Sequence, residues 1–129
     1  MNAQAALKNY SSVKVDAAIE GANPHQLIQM LFDGLLERIA QMKGAMKQKN
    51  IELKSQKVNQ AVDILFGLRD SLNLEQPTDL SLRLDSLYEY IQNQLRKAHQ
   101  SNNAALLDEC TALIAEVSSG WRGMGEQQK

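Results

Sequence analysis

The chain has 129 residues and carries 14 Lys and Arg against 15 Asp and Glu, so its net charge of -1 offers no global field for a phosphate backbone and argues against nucleic acid as a partner. That length suits one domain with a modest core. The single Cys110 cannot close an intramolecular disulfide, and one cysteine with the distant His25 and His99 supplies no usual metal set. No apolar stretch is long enough for membrane insertion and no secretion signal opens the chain, so a cytosolic protein without cofactor is expected.

Residues 1–22 scatter Leu7, Tyr10, Val13, Val15 and Ile19 among polar and small side chains. They are too apolar for a solvated tail and too weakly periodic for a full helix. The expectation is a short N-terminal segment that docks loosely on the remainder as a lid, with Leu7 and Tyr10 as its contacts.

A helix start is then written out in Asn23-Pro24-His25-Gln26. Asn23 can cap the first free N–H groups, Pro24 has no N–H to lose at the first helical position, and Gln26 sits where a capping box needs its return partner. From there Ile28, Leu31, Phe32, Leu35, Ile39, Met42 and Met46 recur at steps of three and four, so the first helix is expected to run to about Asn50. A second follows through Val58, Ala61, Val62, Leu65, Leu68 and Leu72 and stops before Pro77. The third takes Thr78 or Asp79 as its cap and runs through Leu84, Tyr88, Ile91, Leu95 and Ala98 to Ser101-Asn102-Asn103. The fourth has Leu106, Cys110, Leu113, Val117 and Trp121, after which Gly123 and Gly125 point to a frayed tail over 123–129. Four helices of similar length with short connections make an all-α, antiparallel up-down-up-down four-helix bundle over 23–122.

Chemistry is sparse. A di-iron bundle needs Glu-x-x-His pairs, and neither histidine has a glutamate three residues before it. His25 is expected to support the helix start or face solvent, and His99 sits in a last turn, where the helix dipole favours its protonated form. Cys110 lies on the apolar stripe and reads as a small buried hydrophobe. With no nucleophile set, glycine-rich phosphate loop or carboxylate pair, no enzyme is expected.

The apolar faces are broader than a bundle core requires. Ile64 and Phe66 flank the second helix's seam, Leu107 and Ile114 form a second line beside Leu106 and Leu113, and Leu27 and Leu36 widen the first. Such positions are either peripheral core, or covered by the N-terminal segment, or grooves for an apolar partner helix. On the groove reading Leu27, Leu31, Ile64, Leu68, Leu107 and Ile114 are the contact set, and a charge at Ile64 or Ile114 would weaken partner binding more than folding. An adaptor that pairs with another amphipathic helix or with itself would have the same faces.

The order of these pieces resembles the flagellar secretion chaperone family. The matching residues are Tyr10, Asn23-Pro24-His25, Leu27-Ile28, Met30 to Gly34, Ala61 to Leu65 with Leu68, Leu84, Leu87-Tyr88, Tyr90, Leu107 to Glu109 and Trp121. The resemblance implies a cytosolic export chaperone around which the C-terminal segment of flagellin wraps in hydrophobic grooves, which keeps flagellin from polymerising early. It further implies delivery to the flagellar type III export gate, with a regulatory protein such as an anti-sigma factor as an added partner. The N-terminal tyrosine segment would occupy part of that surface and give way to flagellin.

Overall fold

The structure, a computed structural model, describes residues 23–127 of the chain, and the lid residues Leu7 and Tyr10 lie outside the described residues. Four helices follow one another: α1 (Pro24–Lys47), α2 (Ile51–Asp70), α3 (Asp79–Ser101) and α4 (Ala104–Gln127). Each packs beside its neighbours in sequence, and α4 returns to lie against α1, so the helices form an antiparallel ring around a shared core.

The local chemistry of each start is that of its cap. Asn23 Oδ1 accepts from the Gln26 N–H at 2.8 Å while Gln26 Oε1 accepts from the Asn23 N–H at 3.0 Å, a complete capping box with Pro24 behind it. Thr78 and Ser81 repeat the device on α3, with the Ser81 N–H donating to Thr78 Oγ1 at 3.0 Å. Asn102 closes α3 in the left-handed conformation, at φ 51, and Asn103 Oδ1 accepts from the Ala105 N–H at the start of α4.

The core is one cluster, with Leu31, Phe32, Leu35, Ile39 and Met42 from α1 against Ile64, Leu65 and Leu68 from α2, Ile91 and Leu95 from α3, and Leu107, Cys110 and Ile114 from α4. Each fully buried aliphatic side chain contributes about 1.5–3 kcal/mol by leaving water. At the surface, Arg69 binds Asp85 at 2.8 Å and Glu89 at 3.5 Å between α2 and α3, and Lys43 binds Asp108 at 2.7 Å between α1 and α4. Such partly exposed pairs fix register more than they add stability.

The structure departs from the expectation at three places. The first helix ends at Lys47, not near Asn50; Asn50 is instead the cap of α2, accepting from the Leu53 N–H at 3.0 Å, and α2 begins at Ile51 rather than Val58. On α4 the core line is Leu107 and Ile114, both with no exposure, whereas Leu106 and Leu113 are half-buried at the edge of the core cluster, the reverse of the expected order. The helix also passes Trp121 and continues through Gly123 and Gly125 to Gln127, where the tail over 123–129 was expected to begin.

Candidate functional site

At the end of the bundle where α1 starts and α4 finishes, the four helices and the α2–α3 connection enclose a cavity of about 280 Å³ that opens to solvent. Ile28 and Phe32 of α1, Leu72 at the end of α2, Leu84 and Tyr88 of α3, and Val117 and Trp121 of α4 form its apolar lining. Leu80, 58 % exposed, stands on its rim, and Leu74 and Leu82 are exposed nearby in sequence. Leucines left in water, Leu74 in the connection and Leu80 and Leu82 in the first turn of α3, forgo hydrophobic free energy unless something covers them, and they give this end an apolar surface.

The floor is held by aromatic contacts. Trp121 stacks on His25 with ring centroids 4.6 Å apart and planes 6° from parallel, and Phe32 meets both Trp121 and Tyr88 at 6.5 Å. Two hydrogen bonds tie the first pair: the Trp121 indole N–H donates to the His25 carbonyl at 2.9 Å, and His25 Nε2 lies 2.6 Å from the Trp121 carbonyl oxygen. A carbonyl only accepts, so Nε2 carries the proton. His25 therefore neither supports its own helix start nor faces solvent, as the sequence suggests; it clasps α1 to α4. The helical extension past Trp121 supplies Gly125, against which the imidazole lies so closely that a Cβ there would come within 2.3 Å of His25 Cε1. Burial raises the Tyr88 phenol, which stays neutral at the back of the cavity.

Of the expected groove set, Leu31, Ile64, Leu68, Leu107 and Ile114 all have no exposure and sit in the core cluster, while Leu27 is half-buried at its edge. Ile64 joins Leu65 and Leu68 in the core cluster, so the apolar face of α2 is buried across its full breadth at that level. A charge at Ile64 or Ile114 would thus meet the core before any partner, so the expected separation of binding from folding does not hold at those two positions. Sequence reasoning missed the rim: Leu80, four residues before Leu84, shares the core spacing of the third helix, and the exposed Leu74 falls in the connection, where periodicity says nothing.

His99 is also corrected. It lies in the last turn of α3, but burial, followed by the nearby Lys54 charge, lowers its pKa, so the neutral ring is favoured despite the helix dipole. The buried Lys54 reaches across from α2 and donates to the His99 carbonyl at 3.1 Å and to Asn102 Oδ1, closing the end of α3. Cys110 is fully buried, its thiol pushed up to about 12 chiefly by that burial. Among the described residues no group of His, Cys, Asp and Glu could hold a metal ion, and no helix is long and apolar enough to cross a membrane.

Fold and cavity together define an all-α four-helix bundle with an apolar end. Residues 6–128 match the family described as flagellar protein FliS. The chain is 45% identical over 124 residues to flagellar secretion chaperone FliSB of Pseudomonas aeruginosa, covering 96% of this chain and 98% of that one. It is 38% identical to flagellar secretion chaperone FliS of Vibrio cholerae, covering 89% and 85% of the two chains. With its counterpart of the same name from Salmonella typhimurium it shares 30% identity, over 90% and 87%. The chain belongs to the FliS family, a family of flagellar secretion chaperones rather than enzymes.

Proposed function

We propose that this protein is a cytosolic export chaperone that binds the C-terminal segment of flagellin, holds it unpolymerised and hands it to the flagellar type III export gate. The observation that carries the reading is the apolar end cavity with its exposed leucine rim, in a chain of this family. The disordered end of a filament subunit would lay an amphipathic stretch on apolar surface, anchored at helical spacing. Leu27 and the cavity lining are reached directly. The fully buried Leu31, Ile64, Leu68, Leu107 and Ile114 form the floor of the groove and are reached only after overlying side chains move.

On this reading residues 1–22, with Leu7 and Tyr10, are the temporary cover of this surface, a role supported by α1, to which they are joined, starting beside the cavity. An anti-sigma factor or similar regulatory protein is a further partner of the same kind. Capping is stoichiometric and uses no nucleotide.

The test is titration calorimetry of the full chain with flagellin, intact and lacking roughly its last forty residues, a length that as helix spans about 60 Å. Binding at one to one by the intact form alone, with a negative heat-capacity change, is the expected result. Equal binding by both forms would move the site to another part of flagellin. Binding by neither would leave an adaptor for a different helical partner.

A further inference from the structure

The opposite end of the bundle has a different character. Lys43, Lys47, Lys49, Lys54, Arg96 and Lys97 lie toward the α1–α2 and α3–α4 turns, whereas Asp70, Glu75, Asp79, Asp85 and Glu89 flank the α2–α3 connection at the cavity end. Glu52, Asp108 and Glu109 offset part of the first group and Arg69, Arg83 and Arg122 part of the second, so the excess is positive around the α1–α2 and α3–α4 turns and negative around the α2–α3 connection, an asymmetry that the net charge of -1 conceals.

At the basic end Ala45, Met46, Ile51, Lys49, Lys54 and Asn102 line a second concavity of about 370 Å³. Ile51 is 72% exposed, more than any other large hydrophobic side chain of the described residues. Some of this chemistry serves the fold. Lys47 complements the C-terminal end of α1, Lys54 closes α3, and Lys43 pairs with Asp108. Lys49 and Ile51 have no such employment. Lys49 is exposed, has no carboxylate partner among the described residues, and stands at φ 57, a left-handed conformation that glycine or asparagine takes at lower cost. An isoleucine at the first position of α2 with its side chain in water gains nothing from the bundle.

We infer that the α1–α2 turn is a second docking surface, which takes an acidic protein segment by seating one apolar side chain against Met46 and Ile51 while its carboxylates meet Lys47 and Lys49. Charge complementarity selects the partner's sign, and the apolar floor selects a protein over a nucleic acid, since no aromatic ring among the described residues lines this concavity for a base to stack on. A second copy docking by its acidic end would make an open head-to-tail contact that grows into filaments, which disfavours self-association as the use of this surface.

The experiment is fluorescence anisotropy of the full chain with a dye-labelled peptide that carries two leucines four residues apart in a Glu and Asp background. A copy with Gln and Asn in place of the acids and a single-stranded oligonucleotide serve as comparison probes. The acidic peptide is expected to bind, to weaken as salt rises, and to lose about tenfold or more in affinity with Lys49→Glu or Ile51→Ser, while the neutral copy binds far more weakly. Both substitutions fall on exposed positions, and unchanged thermal melts would verify the fold. No binding of the acidic peptide, or binding that neither substitution alters, would overturn the assignment. Preferential binding of the oligonucleotide would overturn it too, as would wild-type self-association in sedimentation that Ile51→Ser abolishes.

Discussion

Trp121 and His25, 96 positions apart in sequence, exchange hydrogen bonds through each other's carbonyl groups while their rings stack at 4.6 Å. Gly125, one turn beyond Trp121, is the floor under the imidazole. Gly125→Ala should therefore push the ring aside and lower stability by about 1–2 kcal/mol even though alanine favours the helix. Gly120→Ala and Gly123→Ala on the same helix meet nothing within 4 Å and should raise stability by about 0.5–1 kcal/mol. Urea unfolding of the three variants measures the contrast, and a stable Gly125→Ala would show that the clasp is dispensable.

A second contrast separates cavity rim from core. Leu80 is 58 % exposed and Ile64 not at all. Leu80→Ser should change folding stability by less than about 1 kcal/mol yet weaken the flagellin titration by about tenfold. Ile64→Asp should cost more than about 3 kcal/mol and abolish the cooperative melt, because the carboxylate is buried without a partner. Thermal melts paired with calorimetry read both.

Burial of His99, with the Lys54 charge beside it, makes stability depend on pH. His99 has a folded pKa below its ordinary value, so between that lowered pKa and the unfolded value of about 6.5 the unfolded chain binds a proton that the folded chain refuses. Stability should fall as pH drops through this window and level off below it. Lys54→Met removes the charge that contributes to the lowering and should flatten the dependence, while it costs about 1–3 kcal/mol at pH 8 by leaving the His99 carbonyl and Asn102 without their donor. Melting temperatures from pH 8 to pH 5 in both proteins test the sign.

Cys110 offers a readout of core opening. With its thiol buried and pushed up to about 12, it should react with a thiol reagent at pH 8 more than about a hundredfold slower than the unfolded chain, since opening a core helix costs several kcal/mol. Fast labelling of the native protein would mean that α4 detaches readily.

The helix starts at Pro24 and Asp79 were legible because their caps are spelled in adjacent residues, and hydrogen bonds form where Asn23, Gln26 and Thr78 allow them. The start of α2 was not, because its first turn is inverted, with Ile51 in water and Lys54 buried, so the apolar period only becomes visible at Val58. On α4 the pairs Leu106-Leu107 and Leu113-Ile114 give two apolar lines about 100° apart, and periodicity cannot choose between them. The choice is made by tertiary contacts: Ser118 accepts from Gln29 at 2.7 Å and Trp121 reaches His25, which together turn Leu107 and Ile114 inward. The cavity was illegible for a related reason, since it belongs to four elements and a connection that meet only in the folded chain.

Because α4 returns beside α1, Asn23 and the last turn of α4 lie at the same end of the molecule. The first turn of α1 and the last turn of α4 thus frame the cavity from one pole. The short turn at Gln48-Lys49-Asn50 lies at the far pole. A reporter inserted at that turn would leave the cavity end clear while covering the second concavity, so the two surfaces can be blocked one at a time.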